Sequence, residues 1–347
     1  MRSTAHPTSP SRPATPTTRR DILCVGGAAA ALSLLPRRAA QAQSARVKKF
    51  RYAHSTPTTH GWHLWGERFK SVVEEKTAGK IQVTIFPNAQ MGNERDIAQQ
   101  IRLGSLEMGS VGVALMNWVP QMSITDAPFL FRNRAQCYAA LDGALGDELK
   151  RRSSEQGFLL VGWNDLGSRC MTNNKHPIAS VRDMRDLKMR VPDSKSYIGM
   201  MQATGASVVA VDLSELYLAL SQGVADGQET PPSVIKSNKF YEVQKYLAKT
   251  DHILTTSYAI VNPAAFAALS PDEQTAFRAA AVDATNWLRQ YTQKDEQDAF
   301  AFLQSKGMVL NMNVDVDSFR EACGGVWAKF PELFPPDLLN LAQSAPA

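Results

Sequence analysis

From Ser270 onward the chain reads as one unusually long amphipathic helix, and that helix limits what the remainder can be. Ser270 is a capping serine and Pro271 suits the first helical position. Asp272 and Glu273 place acids in the first turn, where the helix dipole favours them. Phe277, Ala280, Ala281, Ala284, Trp287, Leu288 and Tyr291 form the apolar stripe. The pattern carries almost to Gly307, and about 35 residues at about 1.5 Å each span roughly 50 Å. One lobe is shorter than that. The helix is therefore expected to brace two lobes across their back, the alternative being a break near Lys294.

The chain is long enough to supply both lobes. It has 347 residues, 44% hydrophobic and 20% charged, a globular composition at a length that usually divides into two bodies. Its formal charge is +5, from 38 Lys and Arg against 33 Asp and Glu, which taken whole points to nucleic acid or an anionic membrane. The excess lies entirely in residues 1–42, where Arg2, Arg12, Arg19, Arg20, Arg37 and Arg38 face one acid, Asp21. The rest carries 32 bases and 32 acids, so no nucleic-acid partner is expected. Residues 1–42 read instead as an export signal. Arg19-Arg20 precedes the apolar run Ile22–Leu35, too short to span a bilayer, and Ala40-Gln41-Ala42 has the small residues of a signal-peptidase site. The paired arginines resemble a twin-arginine signal, with Sec export as the alternative. The expected destination is the periplasm.

Beyond the leader, strand and helix periods alternate. Lys49–Ala53 reads as a strand, Gly61–Thr77 as a helix with Trp62, Trp65, Phe69, Val72 and Val73 on one face, and Ile81–Phe86 as a strand. Asn93, with Asp96 three residues on, opens a helix that ends at Gly104, and a strand follows near Met108–Val113. A second unit repeats the plan: strand Val208–Val211, a helix capped by Ser214, strand Val224–Gln228. Two α/β lobes built alike would enclose a cleft. Cys137, Cys170 and Cys323 are odd in number and lack CxxC spacing, so buried free thiols are favoured over a disulfide.

Catalytic signatures are missing. No P-loop, GxGxxG after a strand, GxSxG elbow or HExxH occurs after the leader. His60 and His63 have HxxH spacing without an acid beside them, which favours packed histidines over a metal site. Asn311, Asn313, Asp315 and Asp317 alternate like a calcium loop, but Val316 stands where glycine is needed and no closing glutamate follows. Neither a metal, a cofactor nor catalysis is expected.

The stretches most suggestive of binding are Gly167-Ser168-Arg169 and Leu187-Lys188-Met189-Arg190-Val191-Pro192. Lys188–Val191 reads as a short strand stopped by Pro192, with Arg190 near its end. A guanidinium fork matches a carboxylate with two parallel hydrogen bonds, although spacing alone favours an intramolecular ion pair for either arginine.

These stretches occur in order with Phe86-Pro87-Asn88-Ala89-Gln90-Met91-Gly92-Asn93-Glu94, Ala127-Pro128-Phe129-Leu130-Phe131, Gly205-Ala206, Glu215–Leu220 and Val224–Pro231. Together they resemble the DctP-like extracytoplasmic solute receptors of TRAP transporters, over essentially all of residues 48–310. The resemblance implies a two-lobed α/β periplasmic binding protein fold with hinge strands and a long bracing helix. Lobe I would take residues 43–166 and 256–295, and lobe II residues 167–255 and 296–347. It implies a monomer that captures a small organic acid and hands it to a TRAP-type membrane permease. By position, Arg190 matches the arginine that salt-bridges the ligand carboxylate and Arg169 the second arginine near it. Thr230 stands where the family often has asparagine, Glu94 where some members have an acid, and His54 in the first loop. Trp163 is the tryptophan expected nearest the cleft. Asp186 replaces the usual glycine of a turn and must adopt a left-handed conformation. The ligand beyond its carboxylate stays open among C4-dicarboxylates, sugar acids and cyclic amino-acid derivatives. A receptor feeding a sensor system, or an exported hydrolase or lyase, are the rival readings.

Overall fold

The computed structural model describes residues Val47–Ala347; the export signal expected over 1–42 lies outside them. The chain forms two mixed sheets. The strands are β1 (Lys48–Ala53), β2 (Ile81–Phe86), β3 (Met108–Val111), β4 (Leu159–Ser168), β5 (Cys170–Asn173), β6 (Lys188–Val191), β7 (Ser207–Ala210), β8 (Gly227–Thr230), β9 (Tyr246–Ala248), β10 (Leu254–Val261) and β11 (Val309–Asn311). The first sheet has the order β2-β1-β3-β10-β4 and the second β11-β9-β5-β8-β6-β7. In the first, β1 is parallel to β2 and β3, and β10 runs antiparallel to β3 and β4. In the second, β6 lies parallel between β7 and β8, and β5 runs antiparallel to β8 and β9.

Local sequence accounts for the first unit. In β1, Phe50 and Tyr52 point inward; in β2, Ile81 and Val83 do, between exposed Gln82 and Thr84. Helix α1 (Gly61–Lys76) buries Trp62, Trp65, Phe69, Val72 and Val73, the stripe read from its period. Its Gly66 is required by a close approach: a Cβ there would sit 2.4 Å from Tyr52 Cε1. Helix α2 (Glu94–Leu103) begins with a reciprocal capping box between Asn93 and Asp96. Gly92, at φ +97°, permits it, because a Cβ would meet that of Asp96 at 2.6 Å.

The long helix runs unbroken from Pro271 to Ser305, 35 residues, with Ser270 and Glu273 forming a second capping box. Its N-terminal half packs on α1, where Phe277 meets Phe69 and Phe50 at ring-centroid distances of 4.8 and 5.3 Å. Past Leu288 the buried face turns polar, with Arg289, Thr292 and Glu296 replacing the apolar stripe while Tyr291 faces out. The helix there passes the junction between the sheets. Thr292 donates to the Asp165 carbonyl at 2.9 Å, and Glu296 pairs with Arg134. Its far end reaches helix Pro232–Ser237 and β11, so it touches elements of both sheets.

The chain passes directly from one sheet to the other between β4 and β5, with only Arg169 between them, and passes back between β9 and β10. The Arg169 N–H donates to the Ile253 carbonyl at 2.9 Å, tying the two crossings together. The C-terminal helices divide their contacts. Val316–Cys323 packs on helix Lys195–Ala203, whereas Pro336–Gln343, expected with the second lobe, packs on Arg134–Asp142 and Ala144–Glu155.

Two smaller expectations shift, and others hold. The helix expected through Leu216, Tyr217 and Leu220 is present at Leu216–Ser221, but Ser214 does not cap it: it lies within a 3-10 turn, Leu213–Glu215, that has no side-chain cap. The strand expected at Val224–Gln228 is Gly227–Thr230, because Gly223 (φ +70°) first turns the chain and the Val224 N–H bonds back to the Ala219 carbonyl. Asp186 does adopt the left-handed conformation, φ +64°. Cys137, Cys170 and Cys323 are buried and free. Among the described residues no helix is long and apolar enough to cross a membrane.

Candidate functional site

Both sheets aim the C-terminal ends of their parallel strands at one cleft, the position where open α/β sheets hold ligands. After β1 come Ser55, His60 and Trp62; after β2 come Asn93 and Glu94; after β3 comes Gly112. From the second sheet Arg190 and Thr230 stand near the ends of β6 and β8, and Asp212 follows β7. The cleft encloses about 820 Å³, its open mouth included.

Arg190 is 2% exposed and is held by its own backbone surroundings: Nε donates to the Val211 carbonyl at 2.7 Å and Nη2 to the same oxygen. No carboxylate lies within ion-pair distance of it among the described residues. Burial pulls its pKa down to about 10, with Arg169 adding to the fall and Glu229, Glu94 and Asp212 opposing it from farther away.

Arg169 is the opposite case. Its guanidinium binds both oxygens of the Glu229 carboxylate, the Glu229 carbonyl at 2.6 Å and Thr255 Oγ1 at 3.2 Å, and lies over the Tyr197 ring at 5.0 Å. Burial works against its charge, but contact with Glu229 outweighs that and the pKa rises. His252 Nε2 lies 3.2 Å from Glu229 and Nδ1 2.8 Å from Thr250 Oγ1. The intramolecular ion pair thus exists for one arginine and not for the other.

Of the remaining expected residues, Thr230 and Glu94 line the cleft. Thr230 is 3% exposed and its Oγ1 has no hydrogen-bond partner among the described residues. Glu94 Oε2 accepts the Gly112 N–H at 2.8 Å, and burial raises its pKa, with Asp212 adding to the rise. His54 does not line the cleft. It is fully buried behind α1, Nδ1 3.0 Å from Thr56 Oγ1 and Nε2 3.1 Å from His63 Nδ1. Trp163 is likewise absent from the lining, packed edge-on to Tyr258 in the core. Trp62 takes that place, with Nε1 fixed on Ser257 Oγ at 2.6 Å.

Sequence reasoning missed Asp126, Asn93 as a lining residue, Asp212 and His60 as a cleft group. Asp126 ends a buried 3-10 turn, accepts from the Tyr197 hydroxyl at 2.8 Å and is pushed up to about 6 by burial, against the pull of Arg169. Asn93 Oδ1 caps α2 while its Nδ2 donates across the cleft to Asp212 at 3.0 Å. Arg95 pairs across the same mouth with Asp193 at 2.7 Å. The usable signal for Asp212 was its place just past the end of a predicted strand.

This architecture matches known proteins. Residues 52–333 match the family of bacterial extracellular solute-binding proteins, family 7. The chain belongs to that family. It is 36% identical to a solute-binding protein of Verminephrobacter eiseniae over 280 residues, 80% of this chain and 84% of the relative. It is 30% identical to the 2,3-diketo-L-gulonate-binding periplasmic protein YiaO of Escherichia coli, covering 81% and 86%. A TRAP periplasmic solute-binding protein of Polaromonas, solved bound to D-erythronate, superposes with a TM-score of 0.84 at 30% identity, covering 86% of this chain and 99% of that one. The two-sheet fold with its bracing helix is that of TRAP periplasmic solute-binding proteins, and the family's members bind solutes.

Proposed function

We infer that the protein captures a small organic acid in the periplasm by its carboxylate and hands it to a TRAP-type permease, without chemical conversion of the ligand. One observation carries the ligand class. Arg190 is a desolvated cation facing the cleft with no acid in contact, and a ligand carboxylate would supply the missing charge. Two of the relatives, the 2,3-diketo-L-gulonate-binding protein and the protein solved with D-erythronate, bind organic acids, which supports the same reading.

Arg169 has a different role in this reading. With its fork occupied by Glu229, it contributes positive potential and orientation, whereas Arg190 makes the ion pair. Thr230 adds one hydrogen bond through its unpartnered hydroxyl. Residues 1–42 act as the export signal, and the crossings at Arg169 and Ile253 are the hinge. Ligand contacts from both walls favour the closed form, and closure strengthens the ion pair by excluding water. The closed form is the one the permease accepts.

Removing one member of a buried, hydrogen-bonded charge pair costs about 2–5 kcal/mol. Arg190→Ala is therefore expected to weaken binding of a carboxylate found by thermal-shift screening by at least about 30-fold, with the melting transition of the free protein retained. Unchanged affinity by calorimetry overturns the reading.

A further inference from the structure

The cleft carries polar groups that a carboxylate held on Arg190 does not use. His60 caps α1, and its Nδ1 accepts the Trp62 N–H at 3.1 Å, so the neutral ring carries its proton on Nε2. That nitrogen has no partner among the described residues, although the imidazole is only 2% exposed and lines the cleft. A buried N–H in this condition lacks an acceptor. Thr230 Oγ1, 3% exposed on the other wall and likewise unpartnered, is the hydroxyl already assigned to the anchored carboxylate.

Two carboxylates complement these groups. Glu94, on α2, and Asp212, after β7, reach the same cleft from the two different sheets. The Gly112 N–H occupies one oxygen of Glu94, and the Asn93 amide occupies one oxygen of Asp212. The Ala114 N–H also acts on the Glu94 carboxylate, but each carboxylate oxygen has two lone pairs, so both acids keep capacity to accept, and an ionised carboxylate can only accept. A hydroxyl group satisfies both kinds of partner, donating to Glu94 or Asp212 and accepting from His60. A second ligand carboxylate meets like charge at both acids.

We propose that His60, Glu94 and Asp212 form a hydroxyl-reading subsite, so that the cleft takes a polyhydroxylated acid with one carboxylate and rejects a dicarboxylate. The proposal rests on Arg190 as the carboxylate anchor.

The test compares D-erythronate and D-gluconate with succinate and butyrate by calorimetry on the mature protein, then repeats the series on Glu94→Gln, Asp212→Asn and the double variant, each checked for a native melting transition. The expected result is that the better aldonate binds at least tenfold tighter than succinate and butyrate. In the double variant that preference over succinate should fall at least tenfold. Succinate binding as tightly as the better aldonate, in a manner abolished by Arg190→Ala, overturns the subsite and leaves the anchor standing. An unchanged preference in the folded double variant also overturns it. No binding of any of the four acids, with no carboxylate raising the melting temperature in a wider screen, overturns the subsite and the anchor together.

Discussion

Arg190 and Arg169 are the same residue type, equally buried, with opposite electrostatic circumstances. Arg169 has its carboxylate, Glu229, two positions along from Gly227 at the start of β8, and so behaves as an internal ion pair. Arg190 is fixed by a carbonyl, which orients a guanidinium without neutralising it. Spacing favoured an ion pair for each and could not separate them, because partner choice depends on which strands become neighbours. At the same scale, His60 makes a testable contribution to pH dependence. Burial holds its pKa down to about 3, with His54 adding to the fall. The folded ring therefore stays neutral while the unfolded chain takes up a proton below about pH 6.5, so acid favours unfolding. The contribution is intact above that value and is lost progressively as pH falls toward about 3. His60→Asn keeps an acceptor for the Trp62 N–H and removes the titration. Between pH 7 and 5 its urea-measured stability should fall by about 2 kcal/mol less than that of the parent; parallel pH profiles count against the assignment.

Elements of the first unit were legible because local pattern and tertiary packing agree there. The stripe of α1, the alternation of β2 and the caps at Asn93 and Ser270 each have one physical solution. Gly66 shows the precision of that packing. Tyr52 cannot yield, since its hydroxyl bonds both the Trp62 carbonyl and Ser110 Oγ at 2.6 Å. Gly66→Ala gains about 0.5–1 kcal/mol of helix propensity, but overpacking costs about 1–3 kcal/mol. Because the 2.4 Å contact with a pinned ring puts the overpacking cost in the upper part of its range, the expected net effect is a loss of about 1–2 kcal/mol in denaturant unfolding, with the slope unchanged. A neutral or stabilised variant contradicts the packing argument. Where pattern and packing diverged, the reading slipped. The turn at Leu213–Glu215 leaves Asp212 free to accept from Asn93 rather than cap a helix, and the long helix buries polar residues where it crosses the junction.

For the whole molecule, the question is what joins the two walls of the cleft. Asn93–Asp212 and Arg95–Asp193 bridge its mouth, and both side chains of the second pair are just over half exposed. An exposed ion pair is worth about 0.2–1 kcal/mol, so Arg95→Ala should shift the closed-to-open ratio by no more than about fivefold. Small-angle scattering should show a more open average, and ligand affinity should weaken to a similar extent at low salt. The difference should shrink at high ionic strength. Equal affinity of the two proteins at low salt would falsify the latch.

Sequence by itself determined the local elements, the neutrality of the chain beyond residue 42, the family resemblance and the two arginines, because each of these is written in period, composition or contiguous residues. Tertiary structure decided which arginine remains available, that His54 turns behind α1 while His60 reaches the cleft, and that Asp126 and Asp212 belong to its lining. Those outcomes depend on contacts between residues far apart in the chain. Only folding sets those distances, and a charge acquires its partner or lacks one accordingly.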